Sequence, residues 1–369
     1  MIPVNEPVVG AEEKRLLVEC IDSGWISSEG PFVAQFEQQM AAHTGREFGV
    51  AVCNGSAALE VAVAALKLGP GDEVIMPTLT IISCAAAVVR AGAQPVLVDC
   101  DPHTWNMDID QLETKITPRT RAIMAVHIYG LPVDMDPVLD IAVRHGLHLI
   151  EDAAEAIGQT YRGRPCGSFG DLSVLSFYPN KHVTTGEGGM VLTDDRVLAE
   201  RSRSLRNLCF QPTKRFEHRE LGWNFRMSNL QAAVGVAQMS GLARAVKTKR
   251  VMGQTYTANL ARLDGLQLPV AKTDYAENIY WVFGIVLEDE VPFEAAEAMA
   301  RLREKGVGTR PFFGPMHLQP VFLDKGMFPG ENYPVAERLA RRGFYLPSGL
   351  ALTPNQIDQV TAAVKEILV

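Results

Sequence analysis

Several patterns are missing from this chain, and each absence narrows its chemistry. The six cysteines, Cys20, Cys53, Cys84, Cys100, Cys166 and Cys209, never form a C-x-x-C pair. That spread argues against a zinc site or a disulfide framework and fits reduced, buried thiols. No metal is expected. Long basic runs are absent and the formal net charge is -8, so a nucleic-acid-binding face is not expected either. No apolar stretch reaches the length of a membrane span without a charge or glycine. The start, MIPVNEPVVGAEEKR, lacks the basic-then-apolar pattern of a signal peptide. Neither G-x-G-x-x-G after a strand nor G-x-x-x-x-G-K-[ST] occurs, which disfavours nicotinamide and P-loop enzymes. The expectation is a soluble, cytoplasmic protein with no membrane partner.

What is present is ordinary globular chemistry: 369 residues, 47% hydrophobic and 21% charged. That is enough for two domains. Apolar runs at 74–77, 95–101, 122–130, 148–152, 172–179 and 189–195 read as strands buried on both faces. Helix-like segments at 56–69, 81–92 and 133–146 alternate with them. The alternation predicts a mostly parallel, doubly wound α/β sheet. Between Pro179 and Gly189 there is no room for a helix, so a hairpin or antiparallel strand is expected there. The spacing predicts one long helix over 228–246, with Ser228 as its N-cap. A strand at 279–289, an amphipathic helix at 293–305 and a last helix ending at Val369 then form a small α+β unit. The expected division is 1–240 and 241–369.

Parallel sheets bind ligands at the carboxyl ends of their strands. After Val52 comes CNGSAAL, where Gly55 permits an unusual turn and Ser56 can cap a helix. The free N–H groups of such a first turn suit a phosphate. The strand HLIED ends in Asp152. The strand LSVLSFYP leads through Ser176 to Lys181, ahead of the glycine-rich TTGEGG, which lets backbone approach closely. A phosphate cradle, a strand-end carboxylate and a strand-end lysine together suit pyridoxal phosphate. The phosphate needs N–H and hydroxyl donors, the ring nitrogen a carboxylate, and the aldehyde a lysine.

The ordered set NGSAAL, EDAAEAIG, GSFGDLSVLSFYPNKHVTTGEGGMV and GWNFRMSNLQAAVG resembles the sugar-nucleotide aminotransferases of the DegT/StrS type. Within them WISS, PRTRAIMAVHIYGLPVDMDP and NK-TTGEGGM look like the GDP-perosamine synthases. The resemblance implies fold type I: a large domain with a mostly parallel seven-stranded sheet flanked by helices, and a smaller C-terminal α+β domain. It implies Lys181 as the Schiff-base lysine, with Asp152 on the pyridinium nitrogen and pyridoxamine phosphate as the amino carrier. Ser176, with backbone at Ser56 and Ala57, would hold the phosphate, and Glu155 would lie near the cofactor hydroxyl or the substrate. Asn224 would reach the phosphate from the neighbouring subunit, making a homodimer with shared sites. Trp25, Ser27, Ser28, His127 and His317 match positions that line family sites; His127 could equally be a core histidine. Lys214, Arg215, His218, Arg219 and Arg310 are candidate cations for a diphosphate. Ile81 stands where the family usually has an aromatic over the ring.

The implied reaction moves nitrogen from L-glutamate to a keto-sugar, with GDP-4-keto-6-deoxy-D-mannose as the lead acceptor, for surface polysaccharide biosynthesis. The alternatives are another nucleotide-linked keto-sugar or a free keto-sugar acid such as 8-oxo-octulosonate. Dehydratases of this fold replace the lysine with histidine, and Lys181 is intact beside His182. A non-catalytic regulator has no DNA-binding motif to support it.

Overall fold

The computed structural model describes residues 1–211 and 213–368. Two helices come first, α1 (Ala11–Ser23) and α2 (Pro31–Thr44), followed by the strand β1 (Phe48–Val52). Then α3 (Gly55–Ala65), β2 (Glu73–Pro77), α4 (Ile82–Arg90), β3 (Gln94–Val98), β4 (Thr120–Val126), α5 (Met135–His145) and β5 (His148–Asp152) alternate as expected. A small hairpin, β6 (Thr160–Tyr161) and β7 (Arg164–Pro165), precedes β8 (Leu172–Ser176), β9 (Gly189–Thr193) and α6 (Arg196–Arg206).

Seven of these strands form one sheet in the order β1-β9-β8-β5-β4-β2-β3. Pairings from β3 across to β8 are parallel, whereas β9 runs antiparallel to both β8 and β1. Every strand but β9 therefore points the same way. The carboxyl ends of β1, β2, β5 and β8 open on one edge, which is where the site lies. The central strands are buried on both faces, because helices cover both sides. α3 is apolar nearly all round and has seven buried residues, since it is wedged against the sheet, α4 and α6. The amphipathic α5 buries only Met135, Val138, Ile141 and Ala142, and ends at a left-handed Gly146.

The predicted helix over 228–246 is two helices, α7 (Asn229–Met239) and α8 (Leu242–Leu260). Ser228 caps α7 in a capping box with Gln231. The break falls at Ser240-Gly241. The Ser240 hydroxyl donates to the Ala237 carbonyl at 2.8 Å, and the Gly241 N–H turns to the Gln238 carbonyl. Serine competing for a helix carbonyl, followed by glycine, is a locally poor helix.

Beyond α8 come β10 (Leu266–Gln267), β11 (Phe283–Leu287), α9 (Ala295–Glu304), β12 (Arg310–Pro311), α10 (Pro320–Leu323), α11 (Pro334–Arg342), β13 (Gly343–Leu346) and α12 (Pro354–Leu368). The four strands make a second, antiparallel sheet in the order β10-β11-β13-β12. It shares a core with α8, α9 and α12. The first residues of the chain join this region: Ile2 bridges to Val307, and the Ser348 N–H donates to the Val4 carbonyl.

The two sheets meet tightly. A Cβ on Gly130, at φ 102°, would stand 2.5 Å from the Trp281 nitrogen. Only glycine fits a left-handed position under that close an approach. Residues 279–282, just ahead of β11, are thereby set against the strand ends of the large sheet.

Candidate active site

A cavity of about 480 Å³ opens at the carboxyl edge of the large sheet. Among the described residues, Lys181 is the only lysine that lines it. The loop that carries Lys181 is closed at its base. The Phe177 N–H donates to the Gly188 carbonyl, and the Phe177 carbonyl accepts from Thr185 N and Thr184 Oγ1. The glycines behind the lysine serve this closure. A Cβ on Gly189 would lie 2.4 Å from the Asn54 carbonyl oxygen, so β9 passes directly behind the β1–α3 turn.

Lys181 Nζ lies 4.0 Å from Glu155 Oε1 and 3.8 Å from the centre of the Trp281 ring. It is 8% exposed. Burial pulls its pKa below the usual lysine value, opposed by the charges of Glu155 and Asp152. Burial pushes Glu155 up to about 8, with Lys181 opposing. Glu155 Oε2 accepts from the Tyr129 N–H at 2.8 Å. Asp152, also buried, accepts from Ala154 N at 3.0 Å on one oxygen and from Cys84 Sγ at 3.2 Å on the other. Burial raises its pKa and these two donors oppose the rise.

Across the cavity, Asn54 caps α3: its side chain accepts from Ala57 N at 2.8 Å. The cap is therefore Asn54, not Ser56, and the Ala57 N–H is already committed to it. The N–H groups of Gly55 and Ser56 have no partner inside the helix, as its first turn dictates. Ser56 Oγ lies 2.6 Å from Ser83 Oγ, at the start of α4. Gly55 lies against Ser176, where a Cβ would come within 2.8 Å of Ser176 Cβ. Ser56, Ser83 and Ser176 thus surround one small polar hollow. Ile81, 41% exposed, lines the same cavity as the N-cap of α4.

Over residues 7–365 the sequence matches the profile of one aminotransferase family. The chain belongs to the DegT/DnrJ/EryC1/StrS aminotransferase family. It is 40% identical to the GDP-perosamine synthase of Caulobacter vibrioides over 368 residues, covering 100% of this chain and 98% of that protein. It is 38% identical to a UDP-N-acetyl-3-dehydro-alpha-D-glucosamine 3-aminotransferase of Acidithiobacillus ferrooxidans, over 90% of this chain and 87% of that one. The crystal structure of the aminotransferase TlmJ from Streptoalloteichus hindustanus superposes with a TM-score of 0.92 at 31% identity, covering 99% of this chain and 98% of that one. Fold type I and sugar aminotransferase activity follow. DegT-family aminotransferases depend on pyridoxal phosphate, and the cavity fits that cofactor. It offers a desolvated amine, a buried carboxylate and a serine-lined hollow that a side chain at position 55 would fill.

Gly55, Ser56, Ile81, Asp152, Glu155, Ser176 and Lys181 all line this cavity. Other expected positions do not. His127 is fully buried behind it. Its Nδ1 accepts from Val133 N, so Nε2 carries the proton and donates to Glu151 at 2.9 Å. Glu151 accepts three further donors, from Gly167, Phe169 and Ser173. His127 is a satisfied core histidine and not a substrate ligand. His317 is likewise buried, between Thr78 Oγ1 at 2.8 Å and Glu337 Oε1 at 3.0 Å, and ties the C-terminal region to the end of β2. Neither ring nitrogen is left for a substrate. Lys214 is exposed and pairs with Glu217, and His218 Nδ1 contacts the Leu208 carbonyl. Arg219 and Arg310 are exposed and outside the cavity lining, although Arg310 pairs in register with Tyr345, which does line it.

Ser27, Ser28 and Arg215 line a second cavity of about 490 Å³, together with Arg203, Arg206 and Arg226. Trp25 is exposed on the same 24–30 loop, and Asn224 is exposed two residues before Arg226. Sequence reasoning missed Trp281, Cys84, Ser83 and the three further arginines. Trp281 belongs to the smaller sheet region, so no pattern near Lys181 announces it. No helix among the described residues is long and apolar enough to cross a membrane.

Proposed function

We propose that the protein transfers the amino group of L-glutamate to GDP-4-keto-6-deoxy-D-mannose, giving GDP-perosamine and 2-oxoglutarate, for surface polysaccharide biosynthesis. The observation that carries the acceptor class is the second cavity. Arg206 is paired with Glu37 at 2.5 Å, but Arg203, Arg215 and Arg226 have no carboxylate within 4.0 Å among the described residues. That local surplus of cation suits a sugar carried on a diphosphate, in a chain that is acidic overall. In a homodimer with shared sites, this cavity and the exposed Asn224 would serve the partner's Lys181 cavity.

Lys181 is proposed as the residue that carries the chemistry. When bound, pyridoxal phosphate supplies an electron sink for the bond broken beside nitrogen. Lys181 Nζ takes the proton from the α-carbon of glutamate and later delivers one to the former ketone carbon of the sugar. Desolvation favours its neutral, basic form. Asp152 would hold the ring nitrogen protonated, while Gly55, Ser56, Ser83 and Ser176 would hold the phosphate. The Trp281 ring shields the amine from water on one side.

A panel of acceptors tests the reading. Protein preloaded with the amino form of the cofactor is offered GDP-4-keto-6-deoxy-D-mannose, a UDP-linked keto-sugar and 8-oxo-octulosonate. The expected result is rapid return of the pyridoxal absorbance with the GDP-sugar alone. Faster turnover of the free keto-acid would overturn the acceptor assignment and leave the transaminase intact.

The carboxylate of Glu155 raises the pKa of Lys181. Glu155→Gln removes that charge, so the amine loses its proton at lower pH. The acid limb of the pH–rate profile, where activity rises as the amine loses its proton, is therefore expected to move to lower pH, a displacement read from kcat/KM across pH 5 to 9. A move to higher pH would show that Glu155 does not act on Lys181.

A further inference from the structure

Lys249 stands where an apolar residue is expected. The buried stripe of α8 runs Ala245, Lys249, Met252, Tyr256 and Leu260. Lys249 is 1% exposed, and no carboxylate lies within 4.0 Å of its Nζ among the described residues. A buried ammonium normally has a carboxylate partner. Here it donates instead to two carbonyls, that of Trp281 at 2.8 Å and that of Ser348. Trp281 lies just before β11 and Ser348 just after β13.

Trp281 is held at two more points. Its Nε1 donates to the carbonyl of Asn180 at 3.0 Å, and its ring covers Lys181 Nζ at 3.8 Å. The preceding residue, Tyr280, is left-handed at φ 49°, an uncommon state for a bulky side chain. That conformation needs support from its surroundings. α8 supplies it: one turn from Lys249, a Cβ on Gly253 would come within 2.3 Å of the Tyr280 ring. The helix that carries Lys249 therefore abuts the strained segment that carries Trp281.

We propose that Lys249 is a positioning residue for the amine of Lys181, acting through Trp281: by holding the Trp281 backbone it pins the indole that caps the amine. This rests on the reading of Lys181 as the transamination lysine. The charged and titratable groups around the pair are few. Glu155 and Asp152 face Lys181 from the cavity, whereas Lys181, His182 and Arg250 are the neighbouring cationic types on the Lys249 side. His182 is held neutral, pushed down to about 3 by burial and then by the charge of Lys249. Lys249 is itself pushed down to about 7, by burial and then by Lys181.

Two variants separate the parts of this role. Lys249→Gln keeps N–H donors for both carbonyls without the charge, and Lys249→Met removes both. The holoprotein is titrated by the visible absorption of its cofactor. Trp281 is followed by 19F resonance in 5-fluorotryptophan-labelled protein, with Trp281→Phe giving the assignment. Loss of the two hydrogen bonds is expected to shift the pH midpoint of the visible band by about half a unit or more in Lys249→Met and not in Lys249→Gln. The Trp281 resonance is expected to move in Lys249→Met and to stay in Lys249→Gln. If Lys249→Met folds, by near-ultraviolet circular dichroism, and its midpoint stays within about 0.2 unit of the parent, the positioning role is overturned. An unmoved Trp281 resonance in folded Lys249→Met overturns the pinning. If Lys181→Ala retains the parent's visible band, the reading of Lys181 itself has failed, an outcome distinct from both.

Discussion

Lys181→Ala is expected to lower turnover of the keto-sugar by about 10³-fold or more, since it removes the proposed nucleophile and proton carrier. After borohydride reduction of protein loaded with pyridoxal phosphate, the parent should keep the cofactor covalently bound and the variant should not. The fold should survive. Losing the cation strands Glu155 and Asp152 in a buried cavity, but Glu155 is already pushed up to about 8 and can remain protonated. The melting temperature therefore checks that lost activity is not lost structure. Turnover at the parent rate would sink the proposed mechanism.

Asp152→Asn carries the second large effect. The asparagine can keep the Ala154 hydrogen bond but cannot balance a protonated ring nitrogen. Turnover at saturating cofactor is expected to fall by about 10²–10³-fold, the usual scale for removing one preorganised electrostatic contact from an active site. Cofactor binding should weaken by less, because the serine-lined hollow that is proposed to hold the phosphate is untouched. A fall in kcat of under threefold would show that Asp152 is not the partner of the ring nitrogen. Cys84 offers an internal control. Its thiol contacts one oxygen of Asp152 and carries no charge to balance the ring nitrogen, so Cys84→Ala is expected to cost far less than Asp152→Asn.

Much of the fold could be read from the sequence because the central strands are buried on both faces. Runs such as VIMP and LSVLS have no polar alternation to obscure them. The antiparallel β9 is also legible, since the nine residues between Pro179 and Gly189 cannot make a helical crossover. Helices that bury little were not. α1 buries only Leu16 and Cys20, and its remaining face looks like any solvated segment. α8 was missed beyond residue 246 because a lysine and a glycine occupy its buried stripe. The site shows the same division. Lys181, Asp152 and Ser176 each follow an apolar strand, so a simple rule about strand ends finds them. His127 follows a strand too, yet it turns into the core, where Glu151 accepts its Nε2–H. Nothing in the neighbouring residues distinguishes the two directions. Trp281 lies a hundred residues beyond Lys181, and the close packing of Gly130 against it, with its indole hydrogen bond to Asn180, brings them together.

The edge strand β1 has a consequence for how the chain is made. Its neighbour in the sheet is β9, with Val52 opposite Gly189 and Phe48 opposite Thr193. As the chain leaves the ribosome, β1 must wait for almost the whole large sheet to be synthesised before it can pair. A waiting apolar edge is open to wrong partners, and a pairing so distant in sequence slows folding. The turn after β1 supplies Gly55 and Ser56 to the cavity, so the proposed phosphate hollow cannot form on a nascent chain until β9 has docked. On this order of assembly, cofactor capture is a late event.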